Sequence, residues 1–155
     1  MLHPPLLDEV GLASAARWYV DGFAKRSGIQ VNLELPIELV RLPDSVELAL
    51  FRVLQESLTN VNRHSGSQAV DIRLNIDAKR VMLEVRDYGR GISRELLQRF
   101  RETGTGVGVG LAGIRERVTE LGGRLEILSD DQGTVLSVAM PLSQTKVEAR
   151  FGVSL

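Results

Sequence analysis

Five glycines fall within residues 104–113, and the run leads directly into residues 111–121, which have helical spacing. Glycine adopts backbone conformations that are costly for other residues, so successive N–H groups can turn toward one ligand. A helix that begins directly afterwards adds a partial positive charge at its N-terminus. The run therefore favours a loop that binds phosphate groups. The alternative is a flexible surface loop, and the motifs upstream decide between the two.

Composition limits the classes of protein to consider. The 155 residues are 43% hydrophobic and 25% charged, with a net charge of −1, which is typical of a soluble globular domain. The chain has no basic excess that would indicate a nucleic-acid partner. It also has no block of charge that would indicate direct contact with a membrane. No apolar run approaches the ~18 residues that span a bilayer. The absence of cysteine fits a reducing compartment, so we expect a cytoplasmic location, in a parent protein that can itself be membrane-anchored.

Two periodicities alternate along the chain and predict one domain over residues 1–142. Helical spacing predicts helices at residues 7–27, 43–65, 93–100 and 111–121. Strict alternation predicts strands at residues 29–35, 72–76, 81–85, 124–128 and 134–140, the last four as two hairpins. This order predicts an α/β (α+β) two-layer sandwich, with a mixed, largely antiparallel sheet and helices on one face. Residues 143–155 lack a clear period and are expected to form a C-terminal tail open to disorder.

One cluster of polar residues lies on the second predicted helix. Glu56, Asn60 and Arg63 are spaced to share one stripe of that helix, with His64 at its edge and the leucines on the other side. A carboxylate and an amide one turn apart can hold a hydrated divalent ion or position a nucleophile. The alternative is an ordinary solvated helix face.

A second cluster follows the third predicted strand. Asp87 stands at the strand end, and Gly89 and Gly91 let the chain turn sharply under a flat ligand before Ile92. The Asp87 carboxylate is then free to accept a hydrogen bond, for which the exocyclic amine of a base is a suitable donor. The alternative is a plain turn, because Asp and Gly are common turn residues.

Two common phosphate-binding loops do not fit the glycine run. Residues 108–113 match the dinucleotide fingerprint GxGxxG, but residues 101–107 do not form the strand that must precede that fingerprint. The mononucleotide P-loop needs a lysine after its last glycine, and Lys25, Lys79 and Lys146 all lie away from the glycine run. Both loops are therefore disfavoured.

Four motifs, in this order, resemble those of the histidine-kinase ATPase superfamily, which also holds gyrase, Hsp90 and MutL. Residues 55–65 (QESLTNVNRHS) look like its N box, and residues 87–92 (DYGRGI) resemble its G1 box, Asp-x-Gly-x-Gly. Residues 108–118 (GVGLAGIRERV) are similar to its G2 box, and Gly133-Thr134 before a strand resembles its closing strand. The match runs over residues 7–142 and implies the Bergerat-type ATP-binding fold.

The opening of the chain narrows this resemblance. Residues 2–12 (LHPPLLDEVGL) look like sensor kinases that partner NarL-type response regulators, just after their dimerisation helices. A short lid without a phenylalanine box fits the same subfamily. The resemblance implies the catalytic domain of a sensor histidine kinase, with ATP and Mg²⁺ as its cofactors. Its implied partners are a histidine-bearing dimerisation domain absent from this chain and a response regulator, NarL-type.

The resemblance assigns the adenine base to the second cluster. Asp87 would accept from the adenine N6 amine, and Thr134 would support that contact through its hydroxyl or a water. The two glycines of the G1 box would let the chain pass beneath the base, and Ile92 belongs to the same cofactor-binding set. Tyr88 stands where the family commonly has asparagine, so the contact on the base side can differ.

The resemblance assigns the metal and phosphates to the first cluster and the glycine run. Asn60 would bind Mg²⁺, and Arg63 or His64 would meet phosphate. Glu56 activates water in relatives that hydrolyse ATP, and here it would polarise or orient the reacting groups. The cofactor-binding residues at the start of the last helix would be Gly108, Gly110 and Leu111.

No acceptor histidine is evident in the sequence. His3 precedes two prolines and lies in no helix of the required kind, and His64 belongs to the N box. We therefore expect a monomeric domain that binds Mg-ATP but does not phosphorylate itself. Two alternatives stay open: a serine kinase of the anti-sigma-factor type, and a non-catalytic ATP-sensing or docking module. Residues 93–107 have little apolar content and are the expected lid, mobile until nucleotide binds.

Overall fold

The computed structural model describes residues 4–37, 40–106 and 109–142, so His3, Gly108 and the predicted tail lie outside the described residues. The described helices are α1 Pro5–Ser27, α2 Asp44–Asn60, α3 Arg94–Thr103 and α4 Val109–Glu120, with a π-helical turn at Val61–Ser65. The described strands are β1 Gln30–Glu34, β2 Ala69–Ile76, β3 Arg80–Asp87, β4 Arg124–Asp130 and β5 Gly133–Pro141. Each of these elements overlaps a segment that periodicity predicts.

The strands form one open sheet in the order β1-β2-β3-β5-β4. β1 runs parallel to β2, and the other three pairings are antiparallel. Both predicted hairpins are present, as β2–β3 and β4–β5. In the first hairpin turn, Asp77 Oδ1 accepts from the backbone N–H groups of Lys79 and Arg80, each at 2.8 Å. The prediction of a mixed, largely antiparallel sheet is confirmed.

One face of the sheet lies beneath the helices. Val70, Ile72 and Leu74 of β2 are buried in the core, whereas Asp71 and Arg73 between them belong to the other, more open face. Successive side chains of a strand point to opposite faces, so this alternation marks the side on which the helices pack. The buried face shares one hydrophobic core with all four α-helices. The predicted two-layer arrangement is therefore confirmed.

α1 contains a break that the periodic pattern does not predict. Gly11 has φ 83° and ψ 176°, outside the helical region, and a Cβ there would come within 2.7 Å of Arg41 Cδ. The break is held by Glu47 of α2, whose side chain is buried. Its carboxylate accepts from the backbone N–H groups of Leu12 and Leu42, each at 3.3 Å, and from the Arg41 guanidinium at 3.1 Å.

The second predicted helix changes its winding near its end. The sequence predicts one helix to residue 65, but the α-helix stops at Asn60 and a π-helical turn covers Val61–Ser65. Such turns are rare and frequently occur at functional sites. The wider turn changes which side chains share a face beyond Asn60. Among the described residues, no helix combines the length and apolar character that crossing a bilayer requires.

Candidate nucleotide-binding site

A cavity of about 390 Å³ opens between the end of α2, the π-helical turn and the ends of β3 and β5. Its lining includes these residues assigned from the sequence: Asn60, His64, Asp87, Gly91, Ile92, Leu111 and Thr134. The cavity therefore brings the first helix cluster, the strand-end cluster and the start of α4 to one place. Four further residues predicted from the sequence are adjacent in the chain to lining residues but do not themselves line the cavity: Glu56, Arg63, Gly89 and Gly110.

Asp87 is the buried charged residue of this cavity, with 8% of its surface exposed. It ends β3, where its Oδ1 accepts from the backbone N–H groups of Gly89, at 3.0 Å, and Thr134, at 3.2 Å. These two bonds fix the orientation of the carboxylate. Among the described residues, Oδ2 has no hydrogen-bond partner, so it remains an available acceptor at the cavity wall.

Ser129 connects the strands around Asp87, a role that the sequence analysis misses. Its hydroxyl accepts from the backbone N–H of Ile92 at 2.7 Å and lies 2.8 Å from the Thr134 hydroxyl. Ser129 and Thr134 are register partners across β4 and β5. In the sequence Ser129 stands in a hairpin turn, where serine is ordinary, so only the pairing register could have indicated this contact.

The turn after β3 is packed tightly against its neighbours. Gly91 has φ 79°, and a Cβ there would lie 1.9 Å from the carbonyl oxygen of Asp130. A Cβ on Gly89 would lie 2.1 Å from the carbonyl oxygen of Ser65. The backbone N–H of Arg90 donates to that same oxygen at 2.9 Å. The π-helical turn and the strand-end turn therefore form one side of the cavity together. Arg90 also lines the cavity and was not assigned from the sequence.

The π-helical turn selects which polar side chains reach the cavity. Asn60 and His64 line it, whereas Arg63 is exposed outside it. α-Helical winding through residue 65 would place Asn60 and Arg63 on one stripe. The wider winding rotates Arg63 away and brings Ser65 to the lining instead.

Glu56 lies at the junction between α2 and α4. Its carboxyl carbon would be only 2.3 Å from a Cβ placed on Gly110, in the first turn of α4. Glycine at this position therefore lets the carboxylate pack against the helix start. Glu56 is half-buried and sits one turn before Asn60. The arrangement places a carboxylate beside the backbone N–H groups that open α4.

Apolar side chains form the floor of the cavity. Val85, Leu136 and Ile127 are neighbours across β3, β5 and β4 in one register row, and all three line it. Leu96 of α3 and Leu111 of α4 complete this surface. Such a floor suits a flat aromatic ligand held at its edge by a polar group. Of these five residues, the sequence indicates only Leu111 as a site residue, because the others look like ordinary core positions.

Tyr88 takes no part in the cavity. Its hydroxyl donates to Asp71 Oδ2 on the open face of the sheet, where Asn32 donates to Asp71 Oδ1 at 2.9 Å. The bond to Asp71 raises the pKa of Tyr88, and the bonds from Tyr88 and then Asn32 lower the pKa of Asp71. The tyrosine side chain is therefore directed away from the cavity.

Comparison with known proteins agrees with this geometry. The sequence profile of the family described as "Histidine kinase-, DNA gyrase B-, and HSP90-like ATPase" matches residues 45–144. The chain is 34% identical over 143 residues to the sensor histidine kinase NarS of Mycobacterium tuberculosis, covering 92% of this chain and 32% of NarS. It is 31% identical over 143 residues to the oxygen sensor histidine kinase NreB of Staphylococcus carnosus, covering 92% of this chain and 40% of NreB.

The fold also matches a solved structure. The histidine kinase domain of the blue-light activated histidine kinase from Erythrobacter litoralis EL346 aligns with a TM-score of 0.75 and 23% identity. The alignment covers 91% of this chain and 70% of that one. The chain spans only 32% and 40% of the lengths of NarS and NreB. Because the family profile covers more than half of its residues, the chain belongs to the histidine kinase-, DNA gyrase B- and HSP90-like ATPase family.

Proposed function

We propose that this chain is the ATP-binding catalytic domain of a two-component sensor histidine kinase. In this role it binds Mg-ATP and delivers the γ-phosphate to a histidine on a dimerisation domain outside these residues. The observation that carries the proposal is the buried Asp87 carboxylate, which offers one oxygen to a largely apolar cavity. The family match and the similarity to two sensor histidine kinases support it.

The base end of the cavity suits adenine. Adenine presents an N6 amine, and Asp87 Oδ2 is an acceptor that can bind it. Guanine carries a carbonyl oxygen at the same position, so two acceptors would face each other. Thr134 is the register partner of Asp87, and its hydroxyl, already bonded to Ser129, can support the contact directly or through water. We therefore propose that the site selects ATP over GTP.

The phosphates are proposed to lie at the start of α4. The first N–H groups of a helix have no partners within it and carry a partial positive charge. Gly110 and Leu111 belong to this first turn, and Leu111 reaches the cavity. His64 lines the cavity and can approach a phosphate, while Arg63 would have to fold back from solvent. Gly108 keeps its proposed role as a further amide donor.

Asn60 is the residue proposed to hold Mg²⁺. Its side chain lines the cavity, and an amide oxygen is a hard ligand that suits this ion. Magnesium retains several waters and commonly takes phosphate oxygens as further ligands, so one protein ligand is sufficient. When bound, the ion would neutralise charge on the phosphate oxygens.

Asn60→Ala tests the metal assignment. Wild-type protein should bind ATP more tightly in Mg²⁺ than in EDTA, and the variant should lose most of this difference because its metal ligand is gone. Calorimetric titration in both buffers measures the effect. Asn62→Ala is the matched control, since Asn62 is exposed and two residues away. A full magnesium effect in Asn60→Ala would show that the ion is held elsewhere.

Phosphoryl transfer requires this domain to position groups rather than to form covalent bonds itself. The bond between the γ-phosphorus and its bridging oxygen breaks, ADP leaves, and a P–N bond forms to the acceptor imidazole. Glu56 lies beside the start of α4, close to the proposed phosphates. We assign it an orienting or polarising role toward the incoming imidazole.

The proposed partners follow from this chemistry. A histidine-bearing helical domain must deliver the acceptor, and a response regulator must then receive the phosphoryl group. The opening residues 2–12 favour a NarL-type regulator, through their resemblance to kinases of that subfamily. We place the domain in the cytoplasm, where ATP and such regulators are found.

Transfer between separately purified domains tests the proposal. With γ-³²P-ATP, label should appear on an added histidine-bearing dimerisation domain, as acid-labile and alkali-stable phosphate, and Asp87→Asn should strongly reduce it at ATP concentrations that do not saturate the variant. Label on this chain alone would contradict the absence of self-phosphorylation. Acid-stable label on serine of an added protein would support the anti-sigma-factor-type alternative. Saturable ATP binding without transfer to any acceptor would favour a sensing or docking module.

A further inference from the structure

α3 is attached to the domain by few buried side chains. Of its ten residues, only Leu97 and Phe100 are buried. Its first turn is capped by Ser93, whose hydroxyl accepts from the backbone N–H of Leu96 at 3.2 Å. The remaining attachments lie toward the other end of the helix, where the Arg101 side chain donates to the carbonyl oxygen of Ile127 in β4 at 3.3 Å and the chain enters the glycine run.

Arg115 of α4 holds that end of α3. One arm of its guanidinium donates to the carbonyl oxygen of Phe100, and the other donates to the carbonyl oxygen of Arg101 at 3.0 Å. The guanidinium carbon also lies 5.0 Å from the centre of the Phe100 ring. Both carbonyls belong to the last turn of α3, where the partial charge of the helix is negative and the carbonyl of Arg101 has no N–H partner within the helix. A forked cation is well suited to both features.

The same contact lies at the first residue of the glycine run. Gly104 ends α3 with φ 77°, and its backbone N–H donates to the Phe100 carbonyl at 2.7 Å, the oxygen that Arg115 also contacts. A Cβ on Gly104 would lie 3.5 Å from Arg115 Nη1. Two residues later, Gly106 lines the cavity. Arg115 therefore helps to fix the point where the chain leaves α3 and enters the glycine run.

The two helices that Arg115 connects also reach the cavity. Leu111 lies one helical turn before Arg115, and Leu96 lies one turn before Phe100. Both leucines line the cavity. Arg115 thus joins α3 to α4, whose first turn is proposed to bind the phosphates. Asp87, Ser129 and Thr134, which form the proposed base end, make no hydrogen bond to it among the described residues.

We propose that Arg115 is a positioning residue for the phosphate groups of the nucleotide. It clamps the end of α3 to α4, and so sets the start of the glycine loop and the height of the lid over the cavity. This inference rests on the proposed ATP-binding function and adds a residue outside the cavity lining to it. Because the clamp acts on the loop and lid, its loss weakens the binding of phosphates rather than of the base.

Comparing two ligands tests the clamp. Arg115→Ala should bind Mg-ATP about tenfold more weakly, as loss of a charged hydrogen-bonding group commonly costs. Its affinity for adenosine, measured by NMR titration, should change by less than about twofold, a small fraction of that free energy. Arg115→Lys keeps the charge but not the fork, so an intermediate loss of ATP affinity of about three- to fivefold is expected. Amides of residues 94–106 should also exchange faster in both variants.

A neighbouring arginine provides the matched control. Arg117 lies on the same helix in an exposed ion pair with Glu120 at 3.1 Å, so Arg117→Ala should leave both affinities unchanged. Equal losses for ATP and adenosine in the Arg115 variants would overturn the inference, as would unchanged ATP affinity. If Arg115→Ala fails to fold, Arg115→Lys decides by the same ratio. Failure of the wild type to bind ATP would instead contradict the proposed function itself.

Discussion

Asp87 divides the two oxygens of its carboxylate between structure and recognition. Oδ1 binds the backbone of Gly89 and Thr134 and so holds the end of β3 against the following turn and β5. Oδ2 is left for a ligand. Because Oδ2 faces the cavity and makes no hydrogen bond among the described residues, a ligand amine can donate to it. One side chain therefore both holds the backbone around the site and offers the oxygen that would bind a hydrogen-bond donor of the ligand.

Asp87→Asn separates these two tasks. The amide oxygen can still accept from both backbone N–H groups, but the amide nitrogen would face the adenine amine as a second donor. ATP affinity should fall by about 2–3 kcal/mol, or about 30- to 150-fold, because a buried donor loses its acceptor. Calorimetric titration measures the loss, and thermal unfolding checks that the fold persists. Unchanged affinity would remove Asp87 from the binding site.

Tyr88 gives a pH-dependent prediction on the opposite face of the sheet. Its pKa is raised by the bond to Asp71, so its contribution to stability is complete below about pH 10 and is lost as the pH rises through the folded-state pKa. The pKa of Asp71 is lowered, so its contribution is present above about pH 4 and is lost as the pH falls through the folded-state pKa. The bond therefore stabilises the fold most between these limits.

Tyr88→Phe should remove that contribution and leave nucleotide binding intact. Urea unfolding at about pH 8 should show a stability difference between wild type and variant that shrinks at about pH 11. Tyr19, whose pKa burial raises, titrates in both proteins and cancels in the comparison. A difference that stays constant across this range would mean that the hydroxyl does not bond Asp71 in solution. Weakened ATP binding would mean that Tyr88 reaches the site after all.

Among the elements, the break in α1 depends on one carboxylate. Glu47 is 1% exposed and serves the backbone of Leu12 and Leu42 as well as Arg41. Glu47→Ala should lower the free energy of unfolding by about 3 kcal/mol, because it leaves buried N–H groups without an acceptor. Chemical denaturation measures the change. Glu34→Ala removes an ion pair to Arg73 in which both side chains are more than half exposed, and should change little. Similar effects in the two variants would contradict this account of the break.

Hydrogen exchange in α3, which belongs to the proposed lid, should slow when nucleotide binds. α3 buries only Leu97 and Phe100, so its amides should exchange quickly without ligand. With Mg-ATP bound in the cavity, exchange of the backbone amides of residues 94–106 should slow markedly. The amides of β2 and β3 should stay protected with and without the ligand. Mass spectrometry of peptic fragments resolves these segments. No change in residues 94–106 would place the lid elsewhere in the chain.

The elements that repeat a simple pattern were predictable, and those that depend on a distant partner were not. Strict alternation in β2 and β3 identified their hairpin, because one face is buried and the other open. The break at Gly11 requires Glu47, which lies 36 residues further along the chain. The π-helical turn at Val61–Ser65 lies in a segment whose residues fit an ordinary α-helix, so its wider winding cannot be recognised from their pattern. Local periodicity carries no information about either.

At the scale of the whole molecule, the sheet order explains why the cavity draws on distant segments. β5 inserts between β3 and β4, so Asp87 at the end of β3 meets Thr134 at the start of β5. α2 and its π-helical turn cover the same end of the sheet, and α4 closes it beside Glu56. The site is thus assembled by topology from three motifs that are separated in the sequence.

The same topology explains what sequence reasoning could find in the site. Asp87, Asn60 and Thr134 were identifiable because polar residues and glycines at fixed spacing resemble a known family's motifs. Ser129 and the apolar floor were not, since serine in a turn and valine or leucine in a strand are the expected residues there. Their roles follow only from register, which places Val85, Leu136 and Ile127 in one row.

Calorimetric titration with ATP and GTP, each with and without Mg²⁺, tests the central claim most directly. We expect saturable binding of ATP that is strengthened by Mg²⁺, and no saturable binding of GTP, because in the same pose Asp87 Oδ2 accepts from the adenine N6 amine but would face the O6 carbonyl of guanine, which is also an acceptor. ATP binding should be about 30- to 150-fold weaker in Asp87→Asn, which serves as the comparison variant. Equal affinity for the two nucleotides, or no binding of ATP at millimolar concentration, would contradict the assignment of this cavity as an adenine nucleotide site.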